Sequence, residues 1–272
     1  MAKITAAEVN QLRKQTGAGM MDCKKALVEA EGNFEAAIDV LRKKGQKVAA
    51  NRADREANEG AVIAKTNGSN KGVIVKLSCE TDFVAINDAF VALANKITDL
   101  ALSSGVSSVE EFLAVEFEAG MTVAEKLQEQ TGVIGEKIEV AELALVSAPF
   151  VGSYIHMGNK IATLVGLSAE APEAGRDIAM QAAAMNPVAL NRTSVTQDVI
   201  DRELEVGKEL ARQEGKPEEM LDKIANGRLN KFFKENTLVD QDFIKDNKMS
   251  VSKYLLSVQA GLEVVDFKRV SL

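Results

Sequence analysis

The chain has 272 residues, 46% hydrophobic and 27% charged, the profile of a globular protein with room for two or three small domains. Its net charge of -7 argues against a general nucleic-acid binder, whose footprint is a basic face. Two cysteines without metal-like spacing, an N-terminus unlike a signal peptide and no apolar run of the roughly 18 residues that span a bilayer point to a reducing cytoplasm without membrane anchoring.

Charge is uneven along the chain. Residues 1–55 hold 11 Lys and Arg against 7 Asp and Glu, whereas the remainder is acidic. This basic head reads as a bundle of three short helices. Thr5 to Glu8 form a capping box, with the Thr hydroxyl and the Glu carboxylate each serving the other residue's backbone. Val9 and Leu12 come next at helical spacing, and Gly17 and Gly19 break the helix. Met20, Cys23, Ala26 and Leu27 mark a second helix, and Phe34, Ala37, Ile38 and Leu41 a third, which Gly45 is expected to end as a C-cap. Residues 46–59 are polar and lack an apolar stripe, so they read as a linker, in part helical.

An internal repeat organises the rest of the chain. The stretch from Gly60 to Glu80 resembles that from Gly152 to Glu170; each reads as a hairpin with β-branched alternation, leading into an apolar helix at about 88–101 or 173–185. The similarity resumes at Met121 and at Met249 and runs to Val146 and Val270. Each half therefore reads as strand–strand–helix–helix–strand. The second half alone carries an insertion, about 190–235, in which Val199, Ile200, Leu204, Gly207, Leu210 and Ala211 face Leu221, Ile224, Ala225, Leu229 and Phe232 across a Gly215-Lys216-Pro217 turn. Such spacing predicts an antiparallel helical hairpin projecting from the body. The fold class is α+β. Its divisions are an N-terminal bundle over 1–55, one core subdomain over 56–146, a second over 147–189 and 236–272, and the hairpin over 190–235.

Catalytic signatures are missing. His156 is the one histidine, and the aligned position of the first half is Ala64, so packing or a partner surface suits it better than acid–base work. The glycines at 68 and 72 lie between two strands rather than before a helix, which makes them turn residues and not a phosphate cradle. No cofactor, metal or enzymatic activity is expected.

Two segments stand apart. In TGAGMMDCKKAL (16–27), Met20 and Met21 point about 100° apart on a helix. They are either a contact surface with one of the two exposed, or core residues at a helix start. In CETDFVA (79–85), a ring and a carboxylate lie in a strand-to-helix loop. On its own chemistry that pair reads as Asp82 capping the helix and Phe83 packing inward, although loops also carry function.

These two segments, with GSYIH (152–156) and the 215–217 turn, closely resemble the signatures of the elongation factor Ts family across essentially the whole chain. The resemblance implies a ubiquitin-associated-like N-terminal bundle, two α/β subdomains, and a helical hairpin that forms homodimer contacts in some members. It also implies a guanine-nucleotide exchange factor for elongation factor Tu. Thr81, Asp82, Phe83 and Val84 would disturb the Mg²⁺/phosphate site of that GTPase. Arg13, Met20 and Met21 would grip a helix of its GTPase domain, and His156 would meet another of its domains. A cofactor-free chaperone or ribosome-associated adaptor using the basic bundle is the rival reading, and an enzyme the weaker one.

Overall fold

A computed structural model describes residues 4–118 and 120–272. Helices and antiparallel sheets are combined in it, with the helices first in the chain. α1 (Ala6–Thr16) starts at the expected Thr5–Glu8 capping box and stops at Gly17, which has a left-handed backbone (φ 71°). α2 (Met20–Glu29) and α3 (Phe34–Arg52) complete the bundle. Its core comprises Val9, Leu12, Ala18, Cys23, Ala26, Leu27 and Ala37.

α3 departs from expectation. It does not end at Gly45 but continues to Arg52, so much of the supposed linker is helix. Gly45 is buried within α3 because a helix of the core, Val123–Ile134, crosses there. Gly132 of that helix lies so close that a Cβ on it would stand 2.5 Å from the Gly45 Cα. Glycine at 45 serves close approach of two backbones rather than chain reversal.

The core begins with β1 (Glu59–Thr66) and β2 (Lys71–Cys79), then a single-turn helix α4 (Asp82–Ala85), α5 (Asp88–Ser104) and α6 (Val109–Leu113). Short strands β3 (Glu116–Glu118) and β4 (Met121–Thr122) lead to α7 (Val123–Ile134) and β5 (Glu139–Ser147). The second half repeats the plan with β6 (Phe150–Ile155), β7 (Ile161–Leu167) and α8 (Pro172–Met185). It then departs into α9 (Gln197–Gln213) and α10 (Glu218–Asn236), and returns through β8 (Asp242–Phe243), β9 (Asp246–Ser250), α11 (Val251–Val258) and β10 (Val264–Ser271). The main sheets run β1-β2-β5 and β6-β7-β10, antiparallel throughout. The two halves thus share one topology, as the sequence repeat predicts.

Alternation along the strands produces layers. Ala61, Ile63, Val73, Val75 and Leu77 face α5, joined by Phe90, Leu93, Ala94 and Ile97. Their neighbours Val62, Ala64 and Ile74 point the other way, against Val151, Ala162 and Leu164 of the second sheet. On the far face of that sheet, Val165 and Leu167 meet Ala174, Ile178 and Ala182 of α8. Helix, sheet, sheet and helix are stacked in that order. Gly152 of the GSYIH motif is part of this stack: a Cβ there would lie 2.5 Å from the Gly175 backbone of α8.

The hairpin forms where the spacing predicts, but Leu210, expected in the seam, is exposed, and its neighbour Ala211 takes the buried place. Ala211, Leu221 and Ala225 are buried within it, and Gly207 lets α9 approach Ala225. Arg228–Glu214, Lys208–Asp222 and Arg212–Glu218 ion pairs tie the two helices at 2.6, 2.9 and 2.9 Å. Pro217 stands at the N-cap of α10, one residue before the first turn. At its root, buried Gln181 donates to the Gln241 side chain and the Asp242 carbonyl, and accepts from the Ile244 N–H.

Candidate functional site

The segment 79–86 starts as the end of β2 and turns outward as α4. Val84 and Ala85 pack on the core, so the remaining positions of a single helical turn must face solvent. Phe83 is accordingly 79% exposed and Ile86 75%. The inward-packing reading of Phe83 is therefore overturned. Asp82 is exposed beside it, as the first residue of α4 and not its cap; the cap position belongs to Thr81. A fully exposed aromatic ring at a fixed place is an unusual way to use a large apolar side chain in a folded monomer.

The base of this projection is clasped from both sides. The Glu136 carboxylate, just after α7, accepts the N–H groups of Glu80 and Thr81 (3.1 and 3.0 Å) and the Thr81 hydroxyl (2.6 Å). In return the Glu80 carboxylate accepts the Lys137 N–H and an Arg52 guanidinium N–H, both at 2.7 Å. Burial pushes the Glu80 carboxyl up, but the Lys137 N–H and Arg52 outweigh it and hold it below the ordinary carboxylate range.

A lowered folded value of this kind contributes stability that is complete above the ordinary carboxylate range and is lost as pH falls through the lowered value. The melting-temperature gap between the native chain and Glu80→Gln is expected to be constant from about pH 6 to 8 and to close below about pH 4. A gap that widened on acidification would contradict the pairing.

Cys79 lies under the same loop, its thiol donating to the Thr81 carbonyl at 3.2 Å. Burial, reinforced by the nearby Glu136 carboxylate, pushes the thiol up to about 12. At pH 8 it is thus overwhelmingly the unreactive thiol. Native protein treated with iodoacetamide at that pH is expected to leave Cys79 unmodified, and denatured protein to react fully, as read by peptide mass spectrometry.

The other predicted residues fall into two groups. Arg13 is exposed on α1, and Met20 and Met21 are exposed at the start of α2, at 52% and 62%. Both methionines face solvent, which departs from both readings, one exposed or both in the core; the core at that end contains Ala18 and Cys23 instead. The turn before α2 rests on Val133 of α7, three residues from Glu136. His156 is exposed in the turn after β6, its Nδ1 3.2 Å from the Tyr154 hydroxyl. That turn reaches the first half through Lys160, which pairs with Glu59 at 3.3 Å. Glu59 is itself the partner of Cys79 in the β1–β2 ladder. Thr81–Val84 are contiguous, the bundle is joined to them through Arg52 and α7, and the His156 turn is joined through Glu59. None of the three groups touches another's named side chains in these hydrogen bonds and ion pairs.

Among the described residues no group of three or more His, Cys, Asp or Glu could hold a metal ion, and no helix is long and apolar enough to cross a membrane. The arrangement is a set of projecting side chains on a braced frame.

Residues 80–272 match the family model described as Elongation factor TS. The chain is 63% identical to the elongation factor Ts of Christiangramia forsetii and 58% identical to that of Flavobacterium psychrophilum, with 100% of both chains covered in each case. The chain belongs to the elongation factor Ts family. A further relative, the elongation factor Ts of Amoebophilus asiaticus, is 51% identical over 98% of each chain. Translation elongation is therefore the setting in which this member of the family is placed.

Sequence reasoning missed several residues of this region. Ile86 shares the exposed side of the α4 turn with Phe83, and the i, i+3 spacing could have indicated it. Met157 is 90% exposed next to His156; an apolar residue in a Gly-Asn turn was the signal for it. Arg52, Glu80 and Glu136 gave no such signal, because their pairing joins positions distant in sequence.

Proposed function

We propose that this elongation factor Ts family member is a guanine-nucleotide exchange factor for elongation factor Tu, without catalytic chemistry of its own. The observation that carries this reading is Phe83, a ring exposed beside the Asp82 carboxylate on a clasped single-turn helix. The names of the relatives support the class. In this reading Thr81, Asp82, Phe83 and Val84 enter the partner beside its Mg²⁺ and phosphates, where the ring and carboxylate displace the groups that hold the metal. Arg13, Met20 and Met21 grip the GTPase domain, and His156 meets a second domain. The protein works in the cytoplasm and needs neither cofactor nor nucleic acid.

Linkage gives the mechanism its form. A factor that weakens nucleotide binding is itself weakened by nucleotide, by the same factor. It speeds release in both directions and leaves selection of GTP to concentration. Each ~1.4 kcal/mol removed from the release barrier is tenfold in rate, and loss of Mg²⁺ from a polyphosphate site is a source of several such steps.

The hairpin supports a second, subordinate proposal. Val206, Leu210 and Met220 are exposed on it, and a homodimer through this surface would cover them. Sedimentation of the native chain beside Leu210→Glu checks it: a dimer that the variant dissociates supports the contact, and a monomer at all concentrations removes it.

The exchange reading is tested by release of a fluorescent GDP analogue from bacterial elongation factor Tu. Fast release on adding the chain is expected. No acceleration, from a partner that another exchange factor empties, would instead favour the adaptor reading through the basic bundle. That rival predicts steeply salt-dependent binding to RNA.

A further inference from the structure

Thr81 occupies the N-cap of α4 with an extended backbone (φ -125°, ψ 153°), yet its hydroxyl makes no capping bond to the helix. A threonine in this position normally caps its own helix. Here the hydroxyl is turned away to Glu136 at 2.6 Å, and the same carboxylate takes the two backbone N–H groups that precede α4. One side chain thus fixes three donors in two consecutive residues, directly before the exposed Asp82 and Phe83. Beyond its own backbone bonds and the Cys79 thiol on the Thr81 carbonyl, the α4 turn packs on the core through Val84 and Ala85.

Glu136 is also placed to relate this projection to the bundle. It comes directly after Gly135, which ends α7 with a left-handed backbone (φ 83°). α7 supports the bundle through Gly132 against Gly45 and through Val133 against the turn before α2. The neighbouring Lys137 N–H binds Glu80, which in turn pairs with Arg52 at the end of α3. A displacement of α7 would therefore carry both the bundle and the projection with it.

We propose that Glu136 is a positioning residue for exchange: its carboxylate sets the place and direction of the Thr81–Phe83 projection relative to the bundle, and acts on the partner only through that projection. The inference rests on the exchange function proposed for this chain. Preorganisation of this kind raises effectiveness because a mobile projection would have to be ordered during binding.

The test uses the full chain and two independent readouts. Amide hydrogen exchange is the first. Glu80 and Thr81 N–H groups are expected to be protected in the native chain and in Glu136→Gln, whose carbonyl still accepts them, and to lose protection in Glu136→Ala. GDP release from elongation factor Tu is the second. Glu136→Ala is expected to be slower by at least about tenfold, in line with the cost of misplacing a group by a fraction of its length. Glu136→Gln is expected within about threefold of native, since neutral acceptors retain most of such bonds. Adding Glu136→Ala to Phe83→Ala is expected to change release by less than about twofold, because a residue acting through Phe83 has nothing left to position.

An additive loss in that double variant would show that Glu136 touches the partner itself, which overturns the proposal. So would unchanged protection in Glu136→Ala, or full activity in that variant while Phe83→Ala is impaired. If the native chain itself fails to release GDP, the exchange reading falls, and the amide protection still decides whether Glu136 holds the projection. The Gln variant separates loss of the acceptor from loss of the charge, since both substitutions remove the same charge, and circular dichroism of Glu136→Ala establishes that it is folded.

Discussion

Replacing Asp82 and Phe83 together by alanine is expected to slow GDP release about 100-fold while leaving the fold intact. Two features set this size. Phe83 is 79% exposed, so its loss removes little burial, and surface changes of this kind usually shift stability by under about 0.5 kcal/mol. At a contact, by contrast, a large aromatic anchor is worth about 2–4 kcal/mol, and about 2.7 kcal/mol is a hundredfold in rate. Stopped-flow release with a fluorescent analogue gives the rate, and circular dichroism the fold. A folded double variant that releases GDP at the native rate would remove this loop from the mechanism, leaving Met20, Met21 and His156 to carry it.

Gly132→Val is expected to destabilise the chain by about 3 kcal/mol or more, the upper range for overpacking, and to weaken exchange as well. The added carbon would meet the α3 backbone at 2.5 Å. A backbone cannot rotate aside as a side chain can, so α3 must move bodily. The bundle that carries Met20 and Met21 on α2 would move with α3, on which it packs. Gly45→Ala makes the informative comparison: its Cβ would stand 3.1 Å from the Gln128 carbonyl, a tight contact that a shift of a few tenths of an ångström relieves. The smaller substitution is expected to cost clearly less in urea unfolding. Equal, small effects from both would mean that the helices cross with slack.

Much of this architecture was legible because it is written locally. The Thr5 capping box, the hairpins and the α9–α10 seam depend on local spacing, and each lies where periodicity puts it except at Leu210, which is exposed. The repeat supplied the shared strand–strand–helix–helix–strand plan of the two halves, and the structure arranges those strands as β1-β2-β5 and β6-β7-β10. Gly45 shows where local reading fails. Its chemistry fits a C-cap, and only the partner helix 87 residues away in sequence gives it another purpose. Phe83 fails for the opposite reason: a large ring is normally buried, and the prior for burial outweighed the position of α4 at the edge of the core. The Glu80–Glu136 clasp lies beyond any local rule: the Glu136 carboxylate binds the Glu80 N–H, and the Glu80 carboxylate the N–H of Lys137 next to Glu136, across more than 50 residues of chain.

The face shared by the two sheets has a historical meaning. Val62, Ala64 and Ile74 of one half are covered by residues of the other, among them Val151, Ala162, Leu164 and Val270, while each sheet's opposite face is already taken by its own helix. Neither half has a side that water could wet at no cost. A single-copy ancestor of the repeat would have needed a second molecule to cover that face, so it would have lived as a pair. Fusing two such copies would turn an encounter between molecules into a fixed interior. With such a pairing permanent, the two halves are free to differ: one has the longer strand-to-helix connection, 80–87 against 168–171, and carries Phe83 on it, and the other extends its chain into the α9–α10 hairpin.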